Sequence, residues 1–430
     1  MGRLLRWLGR SRAVRDLAWV TAANVLVKPA WFLFVTAACM RVLGPSGYGV
    51  FVSALALMGT FIALSEMGVV EFVTREVARD RHTAVRLFTN LAASRVGLGL
   101  ASMALGVVVG VVGFAETPPG ALVASGAYVL SLRVNELCRA LFRATGVFAR
   151  DAASTLAERA LTVVAGTAAL LVWRTPTATL WGIAAGATLT AAVTLGWLGT
   201  RGALSASALA PAVVRSAYRA SFPIGLFALS TIVFHSAGPV LLAAMVSEAA
   251  AGQYGAAWRI VELYMLAPSL VTAVALPRLS AMAAGRDPSG FGRVLWKSAA
   301  ALGVGAGLLA CGTAWLAEPI MSALAGDAAF SDAPRLLRVL AFAFPLMALS
   351  MLFSAALIAA DQQWAAAAIV GGSAVTHGAA CLVVIPSHAA LGVATAMLGT
   401  YVVAVGVAGA ALVRVASAAP PPSPPPAGAS

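Results

Sequence analysis

The sequence predicts an all-α, polytopic membrane protein with about twelve transmembrane helices in two pseudo-symmetric six-helix halves. Of its 430 residues, 60% are hydrophobic and only 10% are charged, and the mean hydropathy is +0.90. A soluble domain carries about a quarter charged residues, so this chain has too little polar surface to cover a soluble particle. Apolar runs recur along the whole chain, and a short motif in its first half returns in its second half. The bilayer is therefore the predicted solvent for most of the chain.

The apolar runs define the individual spans. A helix needs about 20 apolar residues to cross the hydrocarbon core, and its backbone groups must be satisfied within the span. The segments that meet this requirement are 18–40, 48–70, 88–113, 121–142, 153–173, 180–200, 221–246, 254–277, 296–316, 334–358, 363–385 and 389–413. They predict a first half over 18–200, a cytoplasmic linker over 201–220 and a second half over 221–413.

The two ends of the chain differ from the spans in composition. Residues 1–17 alternate arginine with leucine and tryptophan, which predicts a basic interfacial helix on an anionic cytoplasmic leaflet. Residues 414–430 are rich in proline and predict a disordered cytoplasmic tail.

The basic residues between the spans predict the orientation. Nineteen lysines and arginines fall in the connections on one side, among them four in the 71–87 loop, and four fall on the other side. Because cytoplasmic loops carry the excess of positive charge, both termini are predicted in the cytoplasm and the chain in the cytoplasmic (inner) membrane. The net charge of +13 is spread between apolar runs rather than gathered in one solvated patch, so nucleic acid is not an expected partner.

The internal repeat joins two connections in opposite halves. Gly44-Pro45-Ser46-Gly47-Tyr48-Gly49 precedes the second span, and Ala250-Ala251-Gly252-Gln253-Tyr254-Gly255 precedes the eighth. The two Tyr-Gly pairs are 206 residues apart, about half of the chain. A parallel repeat of six helices supports alternating access around a central cavity. The first motif predicts a tight turn, with Tyr48 as an interfacial aromatic anchor.

Charged residues inside the spans are the candidate functional groups, because an ionisable side chain at membrane depth must face a cavity or a partner. Lys28, followed by Pro29, lies near the middle of the first span and is expected to line a cavity. Arg259 and Glu262 are three residues apart and share one helical face. They form either a self-contained ion pair or a site where Arg259 binds an anionic head group that Glu262 orients.

Further charged groups predict an interhelical network near the cytoplasmic face. They are Arg133, Glu136, Arg139, Glu158 and Arg159. Arg133 is also expected to contribute to a positive cavity. His235, in the middle of the seventh span, is either a proton-coupling group or a hydrogen-bonded structural histidine. The cysteines and histidines show no metal-ligand spacing, so no metal and no cofactor are expected.

Several motifs resemble those of polysaccharide-biosynthesis flippases, the O-antigen or Wzx-type lipid-linked oligosaccharide translocases. In the first half they are Asn24, Met40-Arg41-Val42-Leu43-Gly44-Pro45-Ser46-Gly47-Tyr48-Gly49, Leu64-Ser65-Glu66-Met67-Gly68 and Thr74-Arg75-Glu76-Val77-Ala78-Arg79. In the second half they are Gly252-Gln253-Tyr254-Gly255-Ala256-Ala257-Trp258-Arg259 and Leu324-Ala325-Gly326-Asp327-Ala328-Ala329-Phe330, followed by Leu336-Leu337-Arg338-Val339-Leu340. These flippases belong to the superfamily that also contains the multidrug MATE exporters and the lipid II flippase.

The resemblance implies a transporter rather than an enzyme. Its substrate would be a polyprenyl-diphosphate-linked oligosaccharide, moved across the cytoplasmic membrane by alternating access for cell-surface polysaccharide biosynthesis. The implied diphosphate-binding residues are Lys28 and Arg259, with Glu262 and Arg133 beside them. The implied partners are membrane lipids, a polysaccharide polymerase and assembly proteins, around a monomeric flippase.

Two alternatives remain open at this stage. An ion-coupled multidrug exporter of the same superfamily would favour acidic cavity groups, because most of its substrates are cations. A membrane-embedded glycan polymerase or ligase would need a catalytic base or metal-binding carboxylates on a sizeable loop, and the sequence contains no Asp-x-Asp motif.

Overall fold

The computed structural model describes residues 31–114, 116–284, 288–326 and 329–417, and every long element within these ranges is an α-helix. The helices are α1 (Cys39–Ala63), α2 (Val69–Arg79), α3 (Ala84–Gly113), α4 (Pro119–Ala144), α5 (Phe148–Trp173), α6 (Pro176–Thr200), α7 (Pro211–Met245), α8 (Glu248–Tyr264), α9 (Leu266–Ala284), α10 (Pro288–Trp315), α11 (Ala317–Ala325), α12 (Ala333–Ala359) and α13 (Gln363–Ser417). A π-helical turn, Phe34–Ala38, leads into α1.

The twelve predicted spans are represented in this helix order. Nine helical stretches of the described chain are long and apolar enough to cross a membrane. Two of them, Trp31–Ala63 and Gln363–Val415, each contain a break that separates two predicted spans. Helix α4 is 26 residues long but not apolar enough to count among the nine. The first span is seen only from Trp31 onward. Lys28, the basic segment 1–17 and residues 418–430 of the tail lie outside the described residues.

The two breaks have different local causes. At the first, Gly44 adopts φ 65° and is followed by Pro45. Glycine reaches this left-handed region without steric cost and proline cannot continue the hydrogen-bond ladder, so the helix breaks at Gly44, the first glycine of the predicted turn. At the second, Ala389 adopts φ 45° three residues after Pro386.

Two predicted connections are shorter than the sequence pattern indicated. Most of the predicted 71–87 loop is helical, as α2 and the start of α3. Helix α2 buries Val69, Val73 and Val77 at a spacing of four residues, which is the pattern of an amphipathic surface helix. The charged face of α2 lowers the hydropathy of this segment, and for that reason the sequence pattern predicted a loop. Helix α7 begins at Pro211, so only residues 201–210 of the predicted 201–220 linker separate the halves from each other.

Each half packs mainly on itself. In the first half, α4 packs against α3 and α6, and α5 packs against α6. In the second half, α13 packs against α7 and α12, and α12 packs against α9 and α10. The halves meet chiefly along α1, which packs against both α7 and α8. The contact of α1 with α7 and α8 is therefore the main boundary between the halves.

The repeat motif lies where α1 crosses α8. A Cβ atom added at Gly49 would overlap the carbonyl group of Glu248, and one added at Gly252 would overlap the carbonyl oxygen of Pro45. These glycines let the two backbones touch, as small residues do at membrane helix interfaces. The two copies of the motif thus meet each other across the boundary between the halves.

Both repeat tyrosines lie inside this contact. Tyr48 and Tyr254 are fully buried, and Tyr48 packs against Phe51 and the edge of Phe330. The prediction that Tyr48 anchors at the membrane interface is therefore wrong. The close crossing of α1 and α8 encloses its ring between the two halves instead.

Candidate functional site

A cavity of about 690 Å³ lies between the two halves. The first half contributes side chains from α4 and α5, and the second half contributes them from α8, α9 and α12. Six charged side chains line it within the described chain: Arg139, Arg143, Asp151, Arg159, Arg259 and Glu262. Trp31 and Phe32, from the first span, border the same space. The cavity is therefore the point where the charged residues of both halves converge.

Arg259 and Glu262 form an ion pair that faces this cavity. Nη1 of Arg259 donates to Oε2 of Glu262 at 2.7 Å, as the spacing of three residues allows. The Arg259 side chain is 21% exposed and Glu262 is 49% exposed. Nε of Arg259 is buried, and the Tyr48 hydroxyl lies beside the guanidinium group. The pair is thus accessible from the cavity chiefly through the half-exposed carboxylate of Glu262.

Arg139 and Glu158 join α4 to α5 through a buried ion pair. Nη1 of Arg139 donates to Oε2 of Glu158 at 2.5 Å, and Glu158 is fully buried. Such a pair neutralises both charges where water cannot screen them. The predicted contact between these two spans is present, and it places the following turn of α5 at the cavity wall.

Arg159 is the least neutralised arginine of the cavity. Its Nε lies 3.6 Å from Oε1 of Glu158, beyond hydrogen-bond distance, because the other Glu158 oxygen is held by Arg139. The guanidinium carbon of Arg159 lies 5.4 Å from the centre of the Trp31 ring, a cation–π contact. The aromatic ring thus holds the cation in place without cancelling its charge.

Arg143 and Asp151 complete the charged lining. They pair at 3.3 Å across the turn between α4 and α5. Sequence reasoning assigned both positions to a connection and missed them, because it started the fifth span at residue 153. Asp151 lies in the first turn of α5, where a carboxylate is favoured by the helix dipole, and that signal was available. In total, four arginines and two carboxylates line the described part of the cavity, with Glu158 buried behind them.

Arg133 and Glu136 belong to a second cluster, and neither is among the described residues that line this cavity. Arg133 pairs with Glu136 at 2.8 Å and with Glu66 at 3.2 Å. Glu66 lies in the turn between α1 and α2, and burial raises the pKa of its carboxyl while Arg133 opposes that shift. The positive charge of Arg133 is therefore compensated by the two carboxylates of Glu66 and Glu136.

Arg95 on α3 lies close enough to Glu66 and Glu136 to interact electrostatically. It is fully buried, and its guanidinium nitrogens have no hydrogen-bond partner within the described residues. This arginine ties the cluster to a third helix of the first half.

His235 lies in a different pocket, inside the second half. Its Nε2 is 3.0 Å from the hydroxyl of Tyr401, and its ring packs against Trp258 and Phe234. The sequence left two roles open for His235, a hydrogen-bonded structural histidine and a proton-coupling group. This geometry is that of the hydrogen-bonded histidine.

Polar contacts between the halves close one end of the α1–α8 crossing. Glu248, the first residue of α8, is buried and accepts hydrogen bonds from Ser53 at 2.8 Å and from Thr117. Arg41 donates to the carbonyl groups of Ala323 and Leu324 at 2.6 and 3.2 Å. Glu248 and Arg259 are about 16 Å apart along the axis of α8. Sequence reasoning missed Glu248, since it lies just before the predicted eighth span.

The comparisons with known proteins agree with this architecture. A family profile described as polysaccharide biosynthesis protein matches residues 13–283. No curated protein matches the sequence significantly. An inward-facing multidrug resistance MATE family transporter of the MOP superfamily superposes with a TM-score of 0.76 at 13% identity, covering 90% of this chain and 95% of that one. An outward-facing MATE family transporter superposes with a TM-score of 0.61 at 14% identity, covering 93% of this chain and 94% of that one.

A flippase has the same fold. The lipid II flippase MurJ, in an inward closed conformation, superposes with a TM-score of 0.68 at 12% identity, covering 92% of this chain and 89% of that one. These identities establish likeness of fold alone. Together with the family match over more than half of the sequence, they show that this multi-pass membrane protein belongs to the polysaccharide biosynthesis protein family and has the fold of MOP-superfamily transporters.

Proposed function

We propose that this protein is a flippase that moves a polyprenyl-diphosphate-linked oligosaccharide across the cytoplasmic membrane by alternating access, for cell-surface polysaccharide biosynthesis. The observation that carries the proposal is the arginine-rich cavity between the halves. Its described lining has four arginines and two carboxylates, so positive charge is in excess. In a cavity with a low dielectric constant this excess attracts a multiply charged anion strongly. A diphosphate is such an anion.

Arg159 and Arg259 are the proposed diphosphate ligands. A guanidinium group presents a planar set of donors that binds phosphate oxygens in pairs. Arg159 has no hydrogen bond to its nearest carboxylate, and the carboxylate paired with Arg259 is half exposed, so a phosphate can displace it. Lys28 remains a proposed third ligand from the first span. The sequence places it three residues before Trp31, whose ring holds Arg159.

Two features support alternating access. One end of the boundary between the halves is closed by the Glu248 and Arg41 contacts, while the arginines lie about 16 Å away along α8. The chain also superposes better on an inward-facing MATE transporter than on an outward-facing one, with TM-scores of 0.76 and 0.61. We infer that this conformation loads substrate from the cytoplasmic side.

The alternatives fit the cavity less well. A drug exporter for cationic substrates would gain nothing from an excess of arginine. A polymerase or ligase would need a free catalytic base, whereas the carboxylates of Asp151 and Glu262 are each paired with an arginine. A monomer that releases its product to a polysaccharide polymerase is the simplest arrangement for the proposed cycle.

The proposed function is tested by neutralising the cavity arginines in a flippase-deficient strain. Arg159→Ala, Arg259→Ala and Lys28→Ala should each lower translocation of the lipid-linked glycan about 30-fold or more. This corresponds to the roughly 2–5 kcal/mol typical of removing one partner from a buried charge contact. Arg159→Lys and Lys28→Arg should keep partial activity. The measurement is the amount of lipid-linked glycan on each side of the membrane, at matched expression.

Arg338→Ala is the matched control, because Arg338 pairs with Glu318 on an exposed surface and does not line the cavity. It should translocate normally. Normal translocation by the Lys28→Ala, Arg259→Ala double variant would refute the diphosphate role and remove the main reason for preferring a flippase of anionic lipids over a drug exporter.

A further inference from the structure

A second pocket adjoins the arginine-lined cavity. It has a volume of about 370 Å³ and lies inside the second half, between α7, α9, α12 and α13. Met265 and Met351 line both spaces, so the two share a wall. Methionine side chains adapt their shape easily and suit a boundary that a ligand must cross. The two spaces are therefore adjacent, with these two side chains between them.

The second compartment is apolar in chemistry. Carbon-rich side chains such as Phe227, Met347 and Ile369 line it, and no Asp, Glu, Lys or Arg does so in the described chain. Several of its polar groups are engaged by the protein itself. Thr231 donates to the Phe227 carbonyl at 2.9 Å, Ser373 donates to the Ile369 carbonyl at 2.7 Å, and the Tyr401 hydroxyl lies 3.0 Å from Nε2 of His235. The exposed lining is mostly hydrocarbon, so the pocket suits a hydrocarbon chain better than a sugar.

The two halves thus differ in character although they repeat one architecture. Arg139, Arg143, Asp151 and Arg159 all come from the first half, whereas the second half supplies Arg259, Glu262 and the apolar pocket. A ligand that fills both compartments must be charged at one end and apolar at the other. Neither a free sugar phosphate nor a rigid hydrophobic drug has this form.

We propose that the apolar pocket binds the first isoprene units of the polyprenyl chain while the diphosphate lies among the arginines. This inference rests on the proposed function and adds to it a lipid-binding compartment in the second half. It makes chain length a determinant of affinity, because each isoprene unit that leaves water contributes hydrophobic free energy until the pocket is full.

The test measures binding of pyrophosphate and of geranyl, farnesyl and geranylgeranyl diphosphate to the purified full-length protein in detergent. In the native chain, affinity should rise about tenfold or more from pyrophosphate to farnesyl diphosphate. Ala404→Phe should reduce this rise to about threefold or less and leave pyrophosphate binding unchanged, because Ala404 is buried and lines the pocket.

Ala410→Phe is the matched control. It makes the same change on the same helix, α13, at an exposed position. It should behave like the native chain, which separates pocket filling from partition of the ligands into the detergent. The lipid compartment is refuted if pyrophosphate binds but affinity does not depend on chain length, or if both phenylalanine variants behave alike. Loss of all diphosphate binding would instead refute the proposed function and the inference together.

A second measurement needs no bulky substitution and so does not depend on folding of a variant. Farnesyl diphosphate with a diazirine on its terminal isoprene unit should form adducts with residues of α12 and α13 around the pocket when irradiated. Excess pyrophosphate should reduce this labelling, because the head group anchors the chain. Adducts confined to lipid-facing residues would contradict the proposed site.

Discussion

At the scale of single residues, the cavity arginines differ in how far their charge is cancelled. Arg139 is neutralised by the buried Glu158, whereas Arg159 lies beyond hydrogen-bond distance of the same carboxylate and rests on Trp31. Arg259 is paired, but with a carboxylate that is half exposed and can be displaced at low cost. The availability of a cation for phosphate therefore depends on the burial of its partner rather than on the number of nearby acids.

The Arg259–Glu262 pair leads to a prediction about ligand affinity. Glu262→Gln removes a negative charge that competes with phosphate for Arg259, so pyrophosphate should bind about three- to tenfold more tightly. Titration calorimetry on the purified protein measures this change. Glu318→Gln makes the same substitution at an exposed pair outside the cavity and should have no effect. Unchanged or weaker binding by Glu262→Gln would show that Glu262 orients the ligand instead of competing with it.

The buried Arg139–Glu158 pair leads to a prediction about stability. Glu158→Ala leaves the Arg139 charge buried without a partner and should cost about 3–5 kcal/mol of stability. Arg139→Met combined with Glu158→Leu replaces the pair by apolar groups of similar size and should recover most of this loss. Thermal unfolding in detergent compares the variants. If the double variant unfolds as early as the single one, the pair stabilises the helix contact by more than charge compensation.

At the scale of elements, the contact between α1 and α8 depends on glycine. Gly49 and Gly252 allow the backbones of the two halves to touch where the repeat motifs meet. Larger residues cannot be accommodated there without separating the helices, because the obstructing atoms belong to the backbone and cannot rotate away. This crossing, with the Glu248 and Arg41 contacts around it, is the gate that the proposed cycle has to open.

The glycine contact leads to a prediction about conformation. Gly252→Val should shift the protein toward the state in which this end is open. A cysteine introduced by Ser53→Cys, fully buried beneath Glu248, should then react with maleimide at least about tenfold faster, equivalent to a bias of about 1.4 kcal/mol. Gly399→Val, at a position with free space around it, is the control. Equal reactivity in both variants would mean that the crossing does not act as a gate.

At the scale of the whole molecule, the two halves repeat one fold but divide the chemistry. The first half carries most of the cavity charge, and the second half encloses the apolar pocket. The repeated architecture supports the alternating motion. Because the side chains differ between the two copies, the molecule can bind a ligand that is charged at one end and apolar at the other.

The topology is the prediction that belongs to this scale. In a Cys311→Ser background, Ser46→Cys should react with a membrane-impermeant maleimide added from outside intact cells, and Asp361→Cys should not. The reason is the excess of basic residues on the side of Asp361. Both positions are exposed, and the other native cysteines are buried. Gln253 is unsuitable as a reporter, because its amide is buried against Ala329 and Ala333. The reverse labelling pattern would invert the topology.

Sequence alone determined the helical class, the span count, the break at Gly44 and the choice of Arg259 as a candidate site residue. These features are local, since a run of apolar residues, a Gly-Pro pair or a charge at membrane depth has the same meaning whatever packs against it. The boundaries of α2 and α7 were less accessible, because charged faces of surface helices resemble loops in hydropathy.

Only the tertiary structure decided which charges belong together. Arg133, Glu136 and Arg139 share one helical face, yet Arg133 pairs with Glu66 from a distant turn while Arg139 pairs with Glu158 of α5 and faces the cavity. The pattern along one helix states which residues share a face, but the neighbour of that face is set by contacts between helices far apart in sequence. For the same reason, Tyr48 could be recognised as part of a repeat but not as a residue buried between the halves.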